Sequence, residues 1–186
     1  MSKKQIVMHL MALFRQQGYE GTSLTDIATA TGLGRASLYH YFRGGKPEMA
    51  TIALEQFQRT LSKEVIDCLR QKIPPREKLQ LMFAGVARLF DQGNQPCLCT
   101  AFALDPQTSN LLQGRIQDIL AQWLQAITTV LEEAGVPQAQ AYQKAEDIVI
   151  RIQGALVLAR ELGDQDLFER TLQRLGNELL PDPPQK

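Results

Sequence analysis

Thr22-Ser23-Leu24-Thr25-Asp26-Ile27-Ala28-Thr29-Ala30-Thr31-Gly32-Leu33-Gly34-Arg35-Ala36-Ser37-Leu38-Tyr39-His40-Tyr41-Phe42 is the stretch that decides how this chain folds. Ser23 is suited to cap a helix start. Asp26, three residues on, completes a capping box and places its charge near the helix N-terminus. Leu24, Ile27, Ala28 and Thr31 then follow the i, i+3, i+4, i+7 spacing of an inward helical face. Gly32 can take a positive φ without steric cost, so the chain can turn sharply after one short helix. Leu33 and Leu38 anchor a second helix, and Phe42 closes the small core beneath it. The unit is too small to enclose a substrate, but its second helix has the dimensions of a DNA major groove. Read from spacing alone, it is equally an ordinary αα-hairpin with a glycine cap.

Flanking residues narrow the choice. Gly18-Tyr19, Ser23, Ile27-Ala28, Gly32, Leu38-Tyr39-His40-Tyr41-Phe42 and Lys46 occur in the order of the DNA-binding domain of the TetR family of transcriptional repressors, which residues 18–49 resemble. Two positions depart from the family pattern. Gly34 stands where a Ser or Thr usually precedes the recognition helix, so the N-cap carries no side-chain oxygen. Gly44-Gly45 lengthens the link to the fourth helix, as in a drug-responsive, LmrA-like subset of the family. The resemblance implies that Arg35, Ala36, Ser37, Tyr39 and His40 face the groove. Tyr41 would combine packing with a phosphate bond, and Thr25 and Lys46 would hold backbone phosphates, which position a protein without specifying sequence. An arginine such as Arg35 can bind guanine in a bidentate manner. Lys3 and Lys4 extend the basic surface as an N-terminal arm.

Charge agrees in its distribution. The 186 residues are neutral overall, with 20 basic and 20 acidic side chains. Residues 1–46 nevertheless carry six basic groups (Lys3, Lys4, Arg15, Arg35, Arg43, Lys46) against Glu20 and Asp26, a net +4, which leaves −4 on the rest. A basic head on an acidic body suits contact with phosphates at one end. The apolar residues at 6–14 are too few to cross a bilayer. Ile6, Leu10, Leu13 and Phe14 instead describe a helix packing on the motif. No membrane partner is expected, and Cys68, Cys97 and Cys99 fit a reduced, cytoplasmic setting without zinc-site spacing.

Beyond the head every segment reads as helix. Lys46-Pro47-Glu48 opens a long helix to about Lys72, stopped by Pro74-Pro75. Further helices are predicted over 76–92, 111–134, 138–162 and 165–180, with a break at Gly93-Asn94-Gln95-Pro96, a short apolar segment at 97–103 and another helix entry at Asp105-Pro106. The expectation is an all-α protein of about nine helices: a helix-turn-helix DNA-binding domain at 1–46, a helical ligand-binding and dimerisation domain at 47–180, and a disordered tail at 181–186.

Two apolar stripes close the chain: Ile148, Ile152, Ala155, Leu156 and Ala159, with Gly154 allowing close approach, and then Leu167, Phe168, Leu172, Leu175 and Leu179. The resemblance implies that these helices pair with their copies across a two-fold axis; read without it, both stripes face the protomer's own core, as some of each must. One short recognition helix makes few base contacts, whereas a C2 dimer reads both halves of a palindrome. By the same resemblance, an unidentified small lipophilic inducer occupies the body, with Phe83, Phe90, Cys97, Phe102 and Trp123 as candidate lining residues. The expected partners are thus a double-stranded DNA operator, a second copy and the inducer; no cofactor and no metal are expected. An enzyme finds little support, since there is no phosphate-binding glycine loop or metal cluster, and His9 and His40 are the only histidines. The competing class is a helical ligand-binding or adaptor protein that has lost DNA binding.

Overall fold

The computed structural model describes residues 1–179, apart from the side chain of Ser109; the expected tail at 181–186 lies outside the described residues. The described residues form nine α-helices and no strand. Helix α1 covers Lys3–Gly21, α2 Leu24–Thr31 and α3 Arg35–Tyr41. Helix α4 covers Gly45–Leu61 and runs on through a π turn at Ser62–Ile66 and a 3-10 turn at Asp67–Arg70. Then follow α5 Pro75–Leu89, α6 Leu98–Ala103, α7 Pro106–Glu133, α8 Gln138–Leu162 and α9 Asp166–Leu179.

The N-terminus departs from the expected arm. Lys3 and Lys4 are the first residues of α1, because Ser2 accepts from the Gln5 N–H while the Gln5 side chain accepts from the Ser2 N–H. That reciprocal cap draws the helix to the chain start. Ile6, Leu10 and Phe14 are buried as the apolar spacing requires, while Leu13 is half-buried. At Gly18 the backbone leaves helical geometry at φ 70°, and the Thr22 hydroxyl donates to the Gly18 carbonyl at 2.7 Å. Tyr19 is thereby turned inward against Phe14, ring centroids 6.0 Å apart.

Two compact units divide the chain. One comprises Met1–Arg59 with Pro96–Asp118, the other Thr60–Gln95 with the chain from Ile119 on. In the first, α1 packs on α2 and on α6, and Phe14 meets Phe102 edge-on at 5.4 Å. In the second, α8 packs on α9, and α5 lies against α9 and the π turn. The α5 crossing depends on Gly85: a Cβ there would lie 1.8 Å from the Glu64 carbonyl oxygen. Only a residue without a side chain lets the two backbones approach so closely.

Candidate nucleic-acid interface

The turn between α2 and α3 is built as its residues dictate. Ser23 Oγ accepts from the Asp26 N–H at 3.1 Å, and Asp26 Oδ2 accepts from the Ser23 N–H at 2.8 Å and from its hydroxyl at 2.6 Å. These bonds hold the Asp26 carboxyl below the usual carboxylate range, the hydroxyl first and the backbone N–H second. Gly32 ends α2 in the left-handed region at φ 65°, ψ 16°. Gly34 then caps α3 with extended backbone and no side-chain bond, as a glycine must.

On α3 the polar and apolar faces separate cleanly. Leu38 and, just past the helix, Phe42 are fully buried. Arg35, Ala36, Ser37, Tyr39 and His40 are exposed, and Tyr41 is half-buried with its ring near both His40 and Phe42. Tyr39 exposes 47% of its surface. Arg35 Nη2 donates to Thr25 Oγ1 at 3.3 Å, so an expected base-reading group and an expected phosphate holder meet at the starts of α3 and α2.

Lys46 occupies a different setting. It lies in the first turn of α4, half-buried, with Nζ 4.3 Å from the centroid of the Tyr19 ring. Burial pulls its ammonium below the ordinary lysine value, while the Glu20 and Asp105 carboxylates pull the other way. The Gly44-Gly45 link has a defined shape: Gly45 has φ 65°, and the Gly44 N–H donates to Glu48 Oε2 at 2.6 Å.

Asp105 has a role that sequence reasoning missed. Its Oδ2 accepts from the Glu20 N–H at the end of α1 at 2.8 Å, and its Oδ1 from the N–H groups of Gln107 and Thr108 at the start of α7, at 3.0 and 3.4 Å. One nearly buried carboxylate therefore ties the two helix ends together. The signal was an Asp directly before a Pro, which reads as a helix entry; its partner 85 residues away is a matter of tertiary structure.

The five candidate lining residues are all buried, but not in one unit. Phe83, Phe90 and Trp123 belong to the unit of Thr60–Gln95 with Ile119 onward, and Cys97 and Phe102 to the other. Phe90 stands edge-on to Phe168 at 6.4 Å. The Trp123 indole N–H is buried and meets no acceptor among the described residues. A surface cleft of about 590 Å³ in the same unit is lined instead by Leu69, Arg70, Gln122, Gln125, Thr129 and Glu133, among others.

The final stripes lie inside the protomer. Ile148, Ile152, Ala155, Leu156 and Ala159 are buried within the protomer, as are Phe168, Leu172 and Leu175, while Leu167 and Leu179 are half-buried. They form the body's own core where α8 meets α9. Helix α8 has a second apolar face on its opposite side: Ile150, Gly154, Val157, Leu158 and Leu162 are exposed, Ile150 by 66% and Leu162 by 67%. No helix among the described residues is long and apolar enough to cross a membrane.

Comparison with known proteins agrees with this architecture. Residues 8–50 match the model of the bacterial regulatory proteins of the tetR family, and residues 75–174 that of the LmrA/YxaF-like transcriptional regulator C-terminal domain. The HTH-type transcriptional regulator LmrA of Bacillus subtilis is 24% identical over 161 residues, covering 85% of this chain and 86% of its own. The uncharacterized HTH-type regulator YxaF of the same organism is 26% identical over 161 residues, covering 85% and 84%. The crystal structure of a TetR transcriptional regulator from Legionella pneumophila superposes with a TM-score of 0.84 at 24% identity, over 96% of this chain and 97% of that one. The chain belongs to the TetR family of transcriptional regulators, which are generally repressors that bind DNA operators and usually dimerise, and its C-terminal domain is of the LmrA/YxaF-like kind.

Proposed function

We propose that this protein is a ligand-responsive repressor that binds a palindromic operator as a homodimer and is released by a small lipophilic inducer. Residues 1–46 act as the reading head and 47–180 as the sensing and pairing body. The observation that carries the reading is the division of α3: Leu38 and Phe42 hold it down while Arg35, Ala36, Ser37, Tyr39 and His40 stand in solvent. Short helices with an unsupported polar face are what a major groove accepts. Arg35 reads bases, with Thr25 steering its guanidinium. Lys46 binds a backbone phosphate once its ammonium swings off the Tyr19 ring, and Tyr41 adds a phosphate bond.

Pairing is supported by the exposed α8 face. A contiguous apolar strip along a long helix marks an interaction surface, and a two-fold partner supplies a self-complementary one. Ligand control is supported by Trp123, because a buried donor without an acceptor calls for an explanation and an inducer oxygen provides one. The inducer must bind the released state more tightly than the operator-bound state, since equal affinity shifts nothing.

The test is a mobility shift of DNA from upstream of the protein's own gene, across a salt series, for the wild type and an Arg35→Ala, Tyr39→Ala double variant. Both residues are exposed, so folding should survive. The double variant should bind at least tenfold more weakly, about 1.4 kcal/mol, within the ~1–3 kcal/mol of one bidentate base contact. Equal affinity rejects the reading head. A folded dimer with no sequence-selective shift would mean a helical adaptor.

A further inference from the structure

Asp105 stands directly before Pro106, the first residue of α7, and is 8% exposed. One oxygen is enough to cap a helix from that place, and Oδ1 does so by accepting from the Gln107 and Thr108 N–H groups. The cap makes no use of the second oxygen. Oδ2 accepts at 2.8 Å from the Glu20 N–H, two residues past the point where Gly18 leaves helical geometry. A helix that breaks in this way leaves N–H groups beyond the break in need of an acceptor. Around Asp105 the corner between α6 and α7 is held firmly: the fully buried Thr108 hydroxyl donates to the Phe102 carbonyl at 2.7 Å, and Phe102 meets Phe14 of α1. Tyr19, next to Glu20, is buried against Phe14, and its ring carries the Lys46 ammonium at 4.3 Å. One hydrogen bond and one ring thus connect the start of α7 to the first turn of α4, all within the first compact unit. The Glu20 and Asp105 carboxylates also favour the charged form of Lys46 against burial, which acts more strongly.

We propose that Asp105 is a positioning residue for operator binding: from the α6–α7 corner it fixes the last turn of α1, so that Tyr19 holds Lys46 ready for the DNA backbone. Without the bond to Oδ2 the Glu20 N–H turns to water, and Tyr19 loses its fixed direction with it. The Lys46 side chain then samples its full set of rotamers, and ordering it again opposes binding. The loss falls on a phosphate contact, so affinity drops for every sequence alike while base preference stays. Two substitutions separate this use of the carboxylate from the cap. Asn and Ser both cap helices about as well as Asp. Asn, with its one oxygen in the cap, turns its NH2 group to the Glu20 N–H, donor against donor. Ser keeps its oxygen in the cap and is one bond too short to reach α1.

The effect on DNA rests on the reading-head proposal; the seating of Lys46 does not, and two readouts keep them apart. The first is magnetic resonance of full-length protein whose lysines are reductively methylated with isotopically labelled formaldehyde. The Lys46 signal, assigned with Lys46→Arg, should be shifted upfield by the Tyr19 ring and return to the ordinary lysine position in Asp105→Asn and Asp105→Ser. The second is a mobility shift of the upstream DNA across a salt series. Each Asp105 variant should lower the slope of log affinity against log salt by about 0.9, one phosphate, as Lys46→Ala does. Between about 50 and 200 mM salt its affinity should therefore fall about 3.5-fold less than that of the wild type. Adding Lys46→Ala to Asp105→Asn should cost nothing more, because both remove the same contact. An unchanged slope in both Asp105 variants where Lys46→Ala lowers it, or losses that simply add in the double variant, overturns the positioning role. An unmoved Lys46 signal does the same. Loss of helical circular dichroism in both variants overturns it as well, since the carboxylate is then required by the fold itself. If the wild type shifts no DNA, or Lys46→Ala keeps the full slope, the phosphate reading of the head fails while the Lys46 signal still decides the seating.

Discussion

At the scale of single residues, the cap of α2 has a pH signature with a definite sign. Asp26 is held below the ordinary carboxylate range by its bonds from Ser23. A depressed carboxyl contributes stability above the unfolded value, near 3.9, and loses it as pH falls through the folded value. Asp26→Ala should therefore melt below the wild type at pH 7, with the gap closing as the pH drops below about 4; a gap unchanged by acid would assign the loss to packing. Ser23→Ala removes the hydroxyl from the same box and should cost about 0.5–2 kcal/mol by thermal or denaturant unfolding. The same cap orients Thr25, two residues on, and Thr25 receives the Arg35 guanidinium. Helix propensity, capping and candidate DNA contacts are thus continuous over a dozen residues.

At the scale of elements, the closest approach lies where α5 crosses the π turn at Glu64. Any Cβ at position 85 would meet the Glu64 carbonyl at 1.8 Å. That neighbour is backbone and cannot rotate away, so Gly85→Ala must displace one of the two elements. Overpacking of this kind costs about 1–3 kcal/mol, equivalent to a fall of roughly 2–12 °C in Tm for a chain of this size. Calorimetry checks it, and an unchanged Tm would contradict the crossing. Helix boundaries themselves were legible beforehand: Pro74-Pro75, Gly135-Val136-Pro137 and Gly163 stop and start helices where their backbone chemistry requires. The exceptions are instructive. Helix α7 begins at Pro106, ahead of the expected 111, because Asp105 accepts from the Gln107 and Thr108 N–H groups and draws the helix start forward. The π turn had no sequence signature; it belongs to the contact with α5.

For the whole molecule, the two sides of α8 make separate predictions. Ile150→Glu with Leu158→Glu alters the exposed side, so the protomer should keep its helicity and sediment as a monomer, with operator binding lost at concentrations where the wild type is dimeric. Ile152→Glu places a charge in the core and should lower stability by several kcal/mol, since an unpaired buried charge has no compensation. A double variant that remains dimeric would move the pairing surface elsewhere.

The all-α class, the helix-turn-helix and its family are legible in the chain, because caps, turn glycines and 3.6-residue spacing act over a few residues and need no distant partner. The sequence also marked one apolar stripe on α8 and another on α9, without saying whether they stay within the protomer. Packing in three dimensions assigns Ile148, Ile152 and Leu156 to the protomer's core and leaves Ile150, Val157 and Leu162 exposed. It alone brought Lys46 to Tyr19 and the Asp105 carboxylate to the end of α1. Those pairs lie far apart in the chain, and periodicity records only that a residue faces inward. What it meets there depends on how the helices pack.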